Sequence, residues 1–247
     1  MKRYLMTFSY DGTNYSGYQK QPKAETIQGT IEKALKKIND NKAINITASG
    51  RTDAGVHALN QKAHFDLNTE IKPEKLTMAL NSLLPDDIYI KKIELTKENF
   101  DARKDAKAKE YIYQINIGPY NPMKRNIIYQ YNKNLDIVAM QRALKYFEGE
   151  HNFKSFTPTN EVRDNYVRTI VQTNLLRDIK DLDNITLVFL GTGFLKYMVR
   201  NIVGTLIEIG EGKRKPEEII DILKEQNRIS AGITAPPEGL YLNDVYY

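Results

Sequence analysis

The segment of residues 49–57 carries the side chains whose types and spacing best suit chemistry. It reads Ser-Gly-Arg-Thr-Asp-Ala-Gly-Val-His and follows a strand-like stretch. Its glycines permit tight backbone turns, so Asp53 can be held clear of its neighbours. A carboxylate that nearby cations keep ionised is a nucleophile at neutral pH. An ordinary turn, in which Asp53 caps the next segment and Arg51 is solvated, fits these residues equally well.

Two other segments carry candidate binding residues. Arg200 lies on a helical pattern but off its apolar stripe, where a cation can pair with a carboxylate from another element. A solvated arginine is the alternative. Tyr111 and Tyr113 share one face of a strand pattern beside Lys109, as stacking on nucleobases requires. Alternating aromatics are also typical of core packing.

The charge balance favours a polyanionic partner. The chain has a net charge of +5 and a pI of about 9.0. Lys20, Arg103 and Lys109 are candidates for contacts with the phosphates of such a partner. His57 can donate a hydrogen bond to RNA, although a structural histidine is the simpler interpretation.

Cysteine and histidine usage excludes several kinds of site. With no cysteine in the sequence, disulfides, thiolate nucleophiles and cysteine-ligated metals are excluded. The three histidines lack ligand spacing, so we expect no metal. No apolar run is long enough to cross a bilayer, and the N-terminus lacks a signal-peptide pattern. We therefore expect a soluble, cytoplasmic protein that does not engage a membrane.

Periodicity organises the first part of the chain into six elements. Their order is strand, helix, strand, strand, helix, strand, which is that of the ferredoxin-like split βαβ unit. Their approximate ranges are 3–10, 25–39, 44–49, 61–67, a helix begun at Pro73 and ended by Pro85, and 87–94.

The second part repeats the alternation of strands and helices with longer connections. Its strand patterns cover about 109–117, 165–176, 183–190 and 241–247, and its helices cover 135–147, a wide apolar stripe from Leu195 to Ile207, and a segment from Pro216. We predict an α+β fold of two ferredoxin-like (split βαβ) halves, residues 1–100 and 101–247. The halves share a mixed, mainly antiparallel sheet with helices packed on one side, and the catalytic cleft lies between them.

Six segments in order resemble the tRNA pseudouridine synthase A family over essentially the whole chain. They are YDGTNYSGYQKQ with ETIQGTIEKAL, GRTDAGVHA, FDARKDAKAKEYIY, GEHNFKSF, FLGTGFLKYMVRNIVGTLIEIGEG and APPEGLYLNDVYY. GRTDAGVHA is the most specific of them. One departure is Tyr18, where the family often has tryptophan. This change keeps an aromatic ring.

The resemblance implies isomerisation of uridine to pseudouridine in the anticodon stem-loop of tRNA, at positions 38–40 in tRNA numbering. It implies that Asp53 is the nucleophile, that Tyr111 stacks on the target uracil, and that Arg200 pairs with the aspartate. Arg51 matches an arginine that helps to extrude the nucleotide. Leu240 or Leu242 matches an apolar wall of the pocket. Family members are homodimers.

The reaction itself needs no cofactor, because isomerisation transfers no electrons and adds no outside group. Asp53 can attack the sugar C1′, add to C6 of the ring or abstract a proton from C2′, and the sequence leaves these routes open. A non-catalytic RNA-binding protein of ferredoxin-like fold is the main rival, although it leaves the Arg-Thr-Asp loop unexplained. A carboxylate-based glycosidase or nucleosidase requires a second catalytic acid near Asp53.

Overall fold

The computed structural model describes residues 1–177, 179 and 181–247, which form two compact units. The first contains Met1–Lys107 and Tyr241–Tyr247, and the second contains Ala108–Leu240. The sequence suggested a boundary between residues 100 and 101. In the structure the first unit extends to Lys107 and also takes the C-terminal strand.

The first unit follows the predicted order of elements. These are β1 (Lys2–Tyr10), α1 (Ile27–Ile38), β2 (Thr47–Ala48), β3 (His57–Leu67), α2 (Pro73–Asn81) and β4 (Ile88–Leu95). Alternate residues of β1 are buried, which accounts for its strand pattern. Helix α1 begins where the Thr26 side chain accepts a hydrogen bond from the N–H of Gly29, and Lys36 and Lys37 lie in its last turn.

The sheet of this unit has the split βαβ arrangement. Strand β1 lies between β3 and β4 and is antiparallel to both. The two-residue β2 pairs antiparallel with β3, so the order is β4-β1-β3-β2. The loop of residues 49–56 leaves the edge strand β2 and re-enters the sheet at the start of β3.

The second unit has a different strand order. Its elements are β5 (Ala108–Asn116), β6 (Tyr129–Gln130), α3 (Ile137–Lys145), β7 (Gly149–Asn152), β8 (Val167–Arg177), β9 (Asn184–Gly191), α4 (Met198–Gly210) and α5 (Glu218–Glu225). The sheet order is β5-β9-β8-β7, with β6 parallel to β5. The consecutive strands β7, β8 and β9 form an antiparallel meander, so β9 occupies the place beside β5. Between β8 and β9, Asp178 and Lys180 lie outside the described residues.

The last strand, β10 (Leu240–Tyr246), explains why the first unit includes the C-terminus. Tyr241 and Leu242 pair in parallel with His57 and Ala58 at the start of β3. Tyr247 donates a hydrogen bond from its hydroxyl to the carbonyl of Ala102 at 2.8 Å. The α+β fold with a mixed, mainly antiparallel sheet is confirmed, and the two units are not copies of one topology.

Helix α4 is the most deeply buried helix among the described residues. Almost every residue from Met198 to Gly210 is buried, and Gly204 lies so close to the chain at Ile233 that a Cβ there would be 1.6 Å from the Ile233 carbonyl oxygen. In the described part of the chain, no helix is long and apolar enough to cross a membrane.

Candidate active site

The loop that carries Asp53 is fixed by the segment after β1. The hydroxyl of Tyr10 lies 2.8 Å from that of Thr52, and both side chains are buried. The N–H of Tyr18 donates to the carbonyl of Thr52 at 3.1 Å, and the N–H of Gly55 donates to the carbonyl of Tyr15 at 3.4 Å. The residues before and after Asp53 are therefore both held by residues 10–18, which we call the clamp segment.

Two glycines make this close contact between the clamp segment and the Asp53 loop possible. A Cβ at Gly12 would lie 2.1 Å from the carbonyl oxygen of Val56. Gly17 has a φ of +90°, and a Cβ there would lie 3.0 Å from the carbonyl oxygen of Thr52. Only glycine meets both demands without displacing the loop.

The start of the loop is anchored to β3. The side chain of Ser49 donates to the Gln61 side chain at 2.7 Å, and Gln61 donates to the carbonyl of Gly50 at 3.1 Å. The N–H of Ser49 also donates to the carbonyl of Lys62 at 2.8 Å. Asp53 itself is half-buried, whereas Arg51 is exposed. The loop thus combines a fixed backbone with a carboxylate that solvent can reach.

His57 closes the loop from inside the unit. Its ring is 1% exposed, its Nδ1 accepts a hydrogen bond from the N–H of Gly12 at 3.1 Å, and it stacks on Tyr241 with ring centroids 4.7 Å apart. A ring this deeply buried supports the loop and favours the structural interpretation of His57 over a contact with RNA.

The second unit carries Tyr111 and its aromatic neighbour. Tyr111 lies on β5 opposite Phe189 of β9 and is 8% exposed. The ring of Phe194, from the loop after β9, meets it edge-on with centroids 5.0 Å apart. Edge-to-face packing of this kind fixes the orientation of a ring. Tyr111 is thus held in place at the end of β5 that also carries the half-buried Lys109.

Arg200 lies at the start of α4 and is half-buried rather than freely solvated. Its Nε donates to the carbonyl of Ala235 at 2.7 Å, and its guanidinium lies 5.0 Å from the ring centroid of Tyr197. Tyr197 precedes the helix with a φ of 59°, a left-handed conformation that is uncommon outside glycine. A cation–π contact and a backbone hydrogen bond together orient the guanidinium.

The GLYL segment lies next to another buried tyrosine. Tyr113 donates from its hydroxyl to the carbonyl of Pro236 at 2.7 Å. A Cβ at Gly239 would lie 2.7 Å from the Tyr113 ring, so the chain can turn against this ring only at a glycine. Leu240 is 5% exposed and Leu242 is fully buried on β10. Both side chains are apolar and buried, and their assignment to the wall of a pocket stays a prediction.

The three basic residues suggested for phosphate contacts differ in their surroundings. Arg103 is exposed, and Lys109 is half-buried on β5. The ammonium of Lys20 lies 3.0 Å from the carboxylate of Glu32, so its charge is already compensated.

Comparison with known proteins identifies the family of this chain. A model of the family described as tRNA pseudouridine synthase matches residues 6–103 and 143–247, which include Asp53 and Arg200. The chain belongs to the tRNA pseudouridine synthase family. Its relatives named tRNA pseudouridine synthase A include a Geobacillus protein, 46% identical over all of this chain and 98% of its own length. Another, from Caldicellulosiruptor bescii, is 44% identical over the full length of both chains.

Solved structures add little to this assignment. A Cbf5-Nop10-Gar1 complex aligns with 82% of this chain and 54% of the matched chain at 14% identity and a TM-score of 0.33. A similarity this low carries no argument about the function of this family member.

Several supporting residues of this family member were not predicted from the sequence. Tyr10 was not singled out, yet its hydroxyl is hydrogen-bonded to that of Thr52. Phe194 was not singled out as the neighbour of Tyr111. Glu238 was also missed: burial raises the pKa of its carboxyl, and the charge of Arg200 opposes that shift. Only the position of Glu238 in the APPEGLYL segment hinted at a role.

No metal centre is evident in the part of the chain that the structure describes. There, no three His, Asp or Glu side chains are grouped so that they could hold an ion.

Proposed function

We propose that the protein isomerises uridines to pseudouridine in the anticodon stem-loop of tRNA, with Asp53 as the nucleophile. One observation carries the proposal. Asp53 is half-buried on a loop whose flanking residues are hydrogen-bonded to the clamp segment, within the motif that the family resemblance marks as catalytic. A reactive carboxylate needs this combination of fixed backbone and access to substrate.

The reaction balances without an outside reagent. The bond from C1′ of the ribose to N1 of uracil breaks, the base turns, and a bond from C1′ to C5 forms. The hydrogen on C5 leaves as a proton, and N1 gains one. Asp53 supplies the carboxylate that attacks C1′, adds to C6 or removes the C2′ proton, and each of these routes ends in the same product.

Tyr111 and Arg200 take the supporting roles that the resemblance implies. A tyrosine ring held edge-on by Phe194 suits stacking on the detached uracil, because its orientation is already fixed. Arg200 is the basic partner assigned to the aspartate, and its orientation by Ala235 and Tyr197 fits a directed charge. Leu240 or Leu242 supplies an apolar wall.

Binding of tRNA rests on the exposed cations. The target uridine must leave its stack, which costs a few kcal/mol that contacts in the pocket offset. Arg51, exposed beside Asp53, is assigned to this extrusion.

We further propose that the protein works in the cytoplasm as a homodimer. Sedimentation equilibrium of the full chain at micromolar concentration tests the dimer directly.

Release of tritium from tRNA labelled at uridine C5 tests the central assignment. Wild type is expected to release tritium, and Asp53→Asn to release none while keeping tRNA affinity within about tenfold. Asp86→Asn is the matched control, because Asp86 is an exposed aspartate of the same unit. This variant should release tritium at the wild-type rate.

Two results would contradict the proposal in different ways. Turnover by Asp53→Asn would remove Asp53 as the nucleophile. Tight binding of tRNA by wild type without any release from anticodon stem-loops would favour the rival, a non-catalytic RNA-binding protein. Free uracil among the products would indicate a nucleosidase instead.

A further inference from the structure

A cavity of about 550 Å³ opens beside α1, outside the loop that carries Asp53. Its walls come from the segment before the helix, the exposed side of the first turns and the chain before β2. Four lysines line it: Lys20, Lys23, Lys33 and Lys36. Two acidic residues, Glu25 and Glu32, also line it.

The carboxylate of Glu32 is paired with Lys20, so it does not neutralise the other three lysines of the cavity. It is 6% exposed and lies 3.0 Å from the ammonium of Lys20. It also accepts hydrogen bonds from the side chain of Gln28 at 2.9 Å and from the N–H of Ile46 at 3.2 Å. The charge of this buried carboxylate is therefore balanced by Lys20, and its oxygens accept two further hydrogen bonds.

The other three lysines keep their charges available. Lys23, Lys33 and Lys36 are exposed, and none of them forms an ion pair with another described residue. Only Glu25 opposes them on the cavity wall. Three ammonium groups around one concave opening produce a positive potential that a convex surface with the same charges does not concentrate.

The chain beside the cavity is hydrogen-bonded to the clamp segment, which also holds the Asp53 loop. Tyr18 donates from its N–H to the carbonyl of Thr52 at 3.1 Å, and its own carbonyl accepts from the N–H of Gln28 in the first turn of α1 at 2.9 Å. The N–H of Ser16 also donates to the carbonyl of Glu25, a residue of the cavity wall, at 2.9 Å, so the clamp segment contacts both the cavity wall and the Asp53 loop.

We propose that this cavity binds phosphate groups of the tRNA backbone through Lys23, Lys33 and Lys36. The inference rests on the proposed function, which supplies tRNA as the partner. Phosphodiesters carry one negative charge each and are recognised by lysines without regard to base, as this set of side chains would do. Lys20 serves the site indirectly, by neutralising Glu32.

The test compares two triple variants that remove the same charge. Lys23→Gln, Lys33→Gln and Lys36→Gln empty the cavity of its available cations. Lys72→Gln, Lys75→Gln and Lys97→Gln remove three exposed lysines of the same unit that lie outside the cavity. Lys20 is left unchanged, because its loss would leave the buried carboxylate of Glu32 without its cation. Thermal melting checks that both variants are folded.

Binding of unmodified tRNA is measured over a series of salt concentrations. The cavity variant is expected to lose roughly tenfold in affinity near physiological salt, and the slope of log Kd against log salt should flatten by about 2. The control variant should change the slope by less than about half as much. Equal changes in the two variants would overturn the proposal, since they would reflect net charge alone.

Activity separates this inference from the proposed function. If wild type releases tritium from tRNA but the cavity variant binds tRNA as the control does, the cavity site is wrong and the isomerase stands. If wild type releases none, yet only the cavity variant loses tRNA affinity, the cavity site stands and the isomerase is wrong. Calorimetry with inorganic phosphate adds one further outcome: tight binding of the free ion without loss of tRNA affinity in the variant would overturn the tRNA assignment.

Discussion

Replacing Tyr10 by phenylalanine tests whether the clamp segment positions Asp53. The change removes one hydroxyl and keeps the ring, which packs 6.0 Å from Phe8 and 6.5 Å from Tyr18 between centroids. What is lost is the 2.8 Å hydrogen bond to Thr52, the residue immediately before Asp53. The hydroxyl also interacts with the side chain of Gln61, which anchors the start of the same loop, so the perturbation falls on the support of the Asp53 loop.

The size of the effect follows from burial. Burial raises the pKa of Tyr10 to about 12, so its hydroxyl is neutral at physiological pH and the hydrogen bond joins two neutral groups. Leaving the buried hydroxyl of Thr52 with a partner removed costs about 1–3 kcal/mol. In a chain of this length, each kcal/mol shifts the Tm by roughly 2–4 °C. If misalignment of Asp53 raises the activation free energy by a comparable amount, kcat falls about tenfold.

Tyr18→Phe is the matched control, because it alters the neighbouring tyrosine of the same segment. The Tyr18 hydroxyl is buried, and no described residue hydrogen-bonds to it. Removing an unpaired buried hydroxyl is expected to be neutral or to stabilise by up to about 1 kcal/mol. Urea unfolding gives the free energy of unfolding, and tritium release over a range of tRNA concentrations separates kcat from KM.

Three results bear on the reasoning. Loss of stability and of kcat in Tyr10→Phe alone supports a positioning role. Loss of stability with unchanged kcat would mean that the hydrogen bond stabilises the wild-type fold but does not position Asp53. Equal behaviour of the two variants would refute the hydrogen bond itself.

Three further substitutions test other parts of the structure. Gly204→Ala places a Cβ 1.6 Å from the carbonyl oxygen of Ile233, so urea unfolding should show a loss of about 1–3 kcal/mol or more. Burial lowers the pKa of His64 in the folded state, so the unfolded chain takes up this proton first and wild type loses stability as pH falls below about 6.5. In His64→Gln this loss of stability should be smaller. Tyr111→Leu should lower kcat/KM by about 5- to 150-fold through lost stacking, whereas Tyr89→Leu, at an exposed ring of β4, should not.

Each of these substitutions has an outcome that counts against its premise. Gly204→Ala with wild-type stability would mean that the chain near Ile233 moves aside at no cost. An unchanged pH profile in His64→Gln would show that other groups govern the acid side. For the aromatic pair, equal loss in both variants would point to general destabilisation, which a thermal melt of each variant detects.

Much of the first unit was predictable because its signals are local. The alternation of β1 and the helical spacing of α1 appear within single segments, and the order of elements then indicates the split βαβ arrangement. The placement of β10 was not predictable in this way. Its parallel pairing with β3 joins residues separated by most of the chain, and periodicity carries no information about which distant strand is the partner. The same limit applies to β9, which takes the place beside β5 that the split βαβ order assigns differently.

The site divides along the same line. The glycines and acidic residue of the Asp53 loop are consecutive in the sequence, so the loop could be recognised there. Its support is not consecutive: Tyr10 and Gly12 hold Thr52 and Val56 from about forty residues away. Lys20, suggested for RNA contact, is paired with Glu32, a partner that sequence spacing alone does not identify, and its contact with RNA stays a prediction.

The way the loop is supported has a consequence for how Asp53 can be studied. Thr52 is held by its hydroxyl and carbonyl, Gly55 by its N–H, and the base of the loop by Ser49, so the backbone conformation is specified on both sides of the aspartate. A change of Asp53 to asparagine keeps every one of these bonds. Loss of turnover in that variant therefore reports on the carboxylate itself, whereas loss of turnover in Tyr10→Phe reports on its position. Comparing the two separates chemistry from alignment at a single residue.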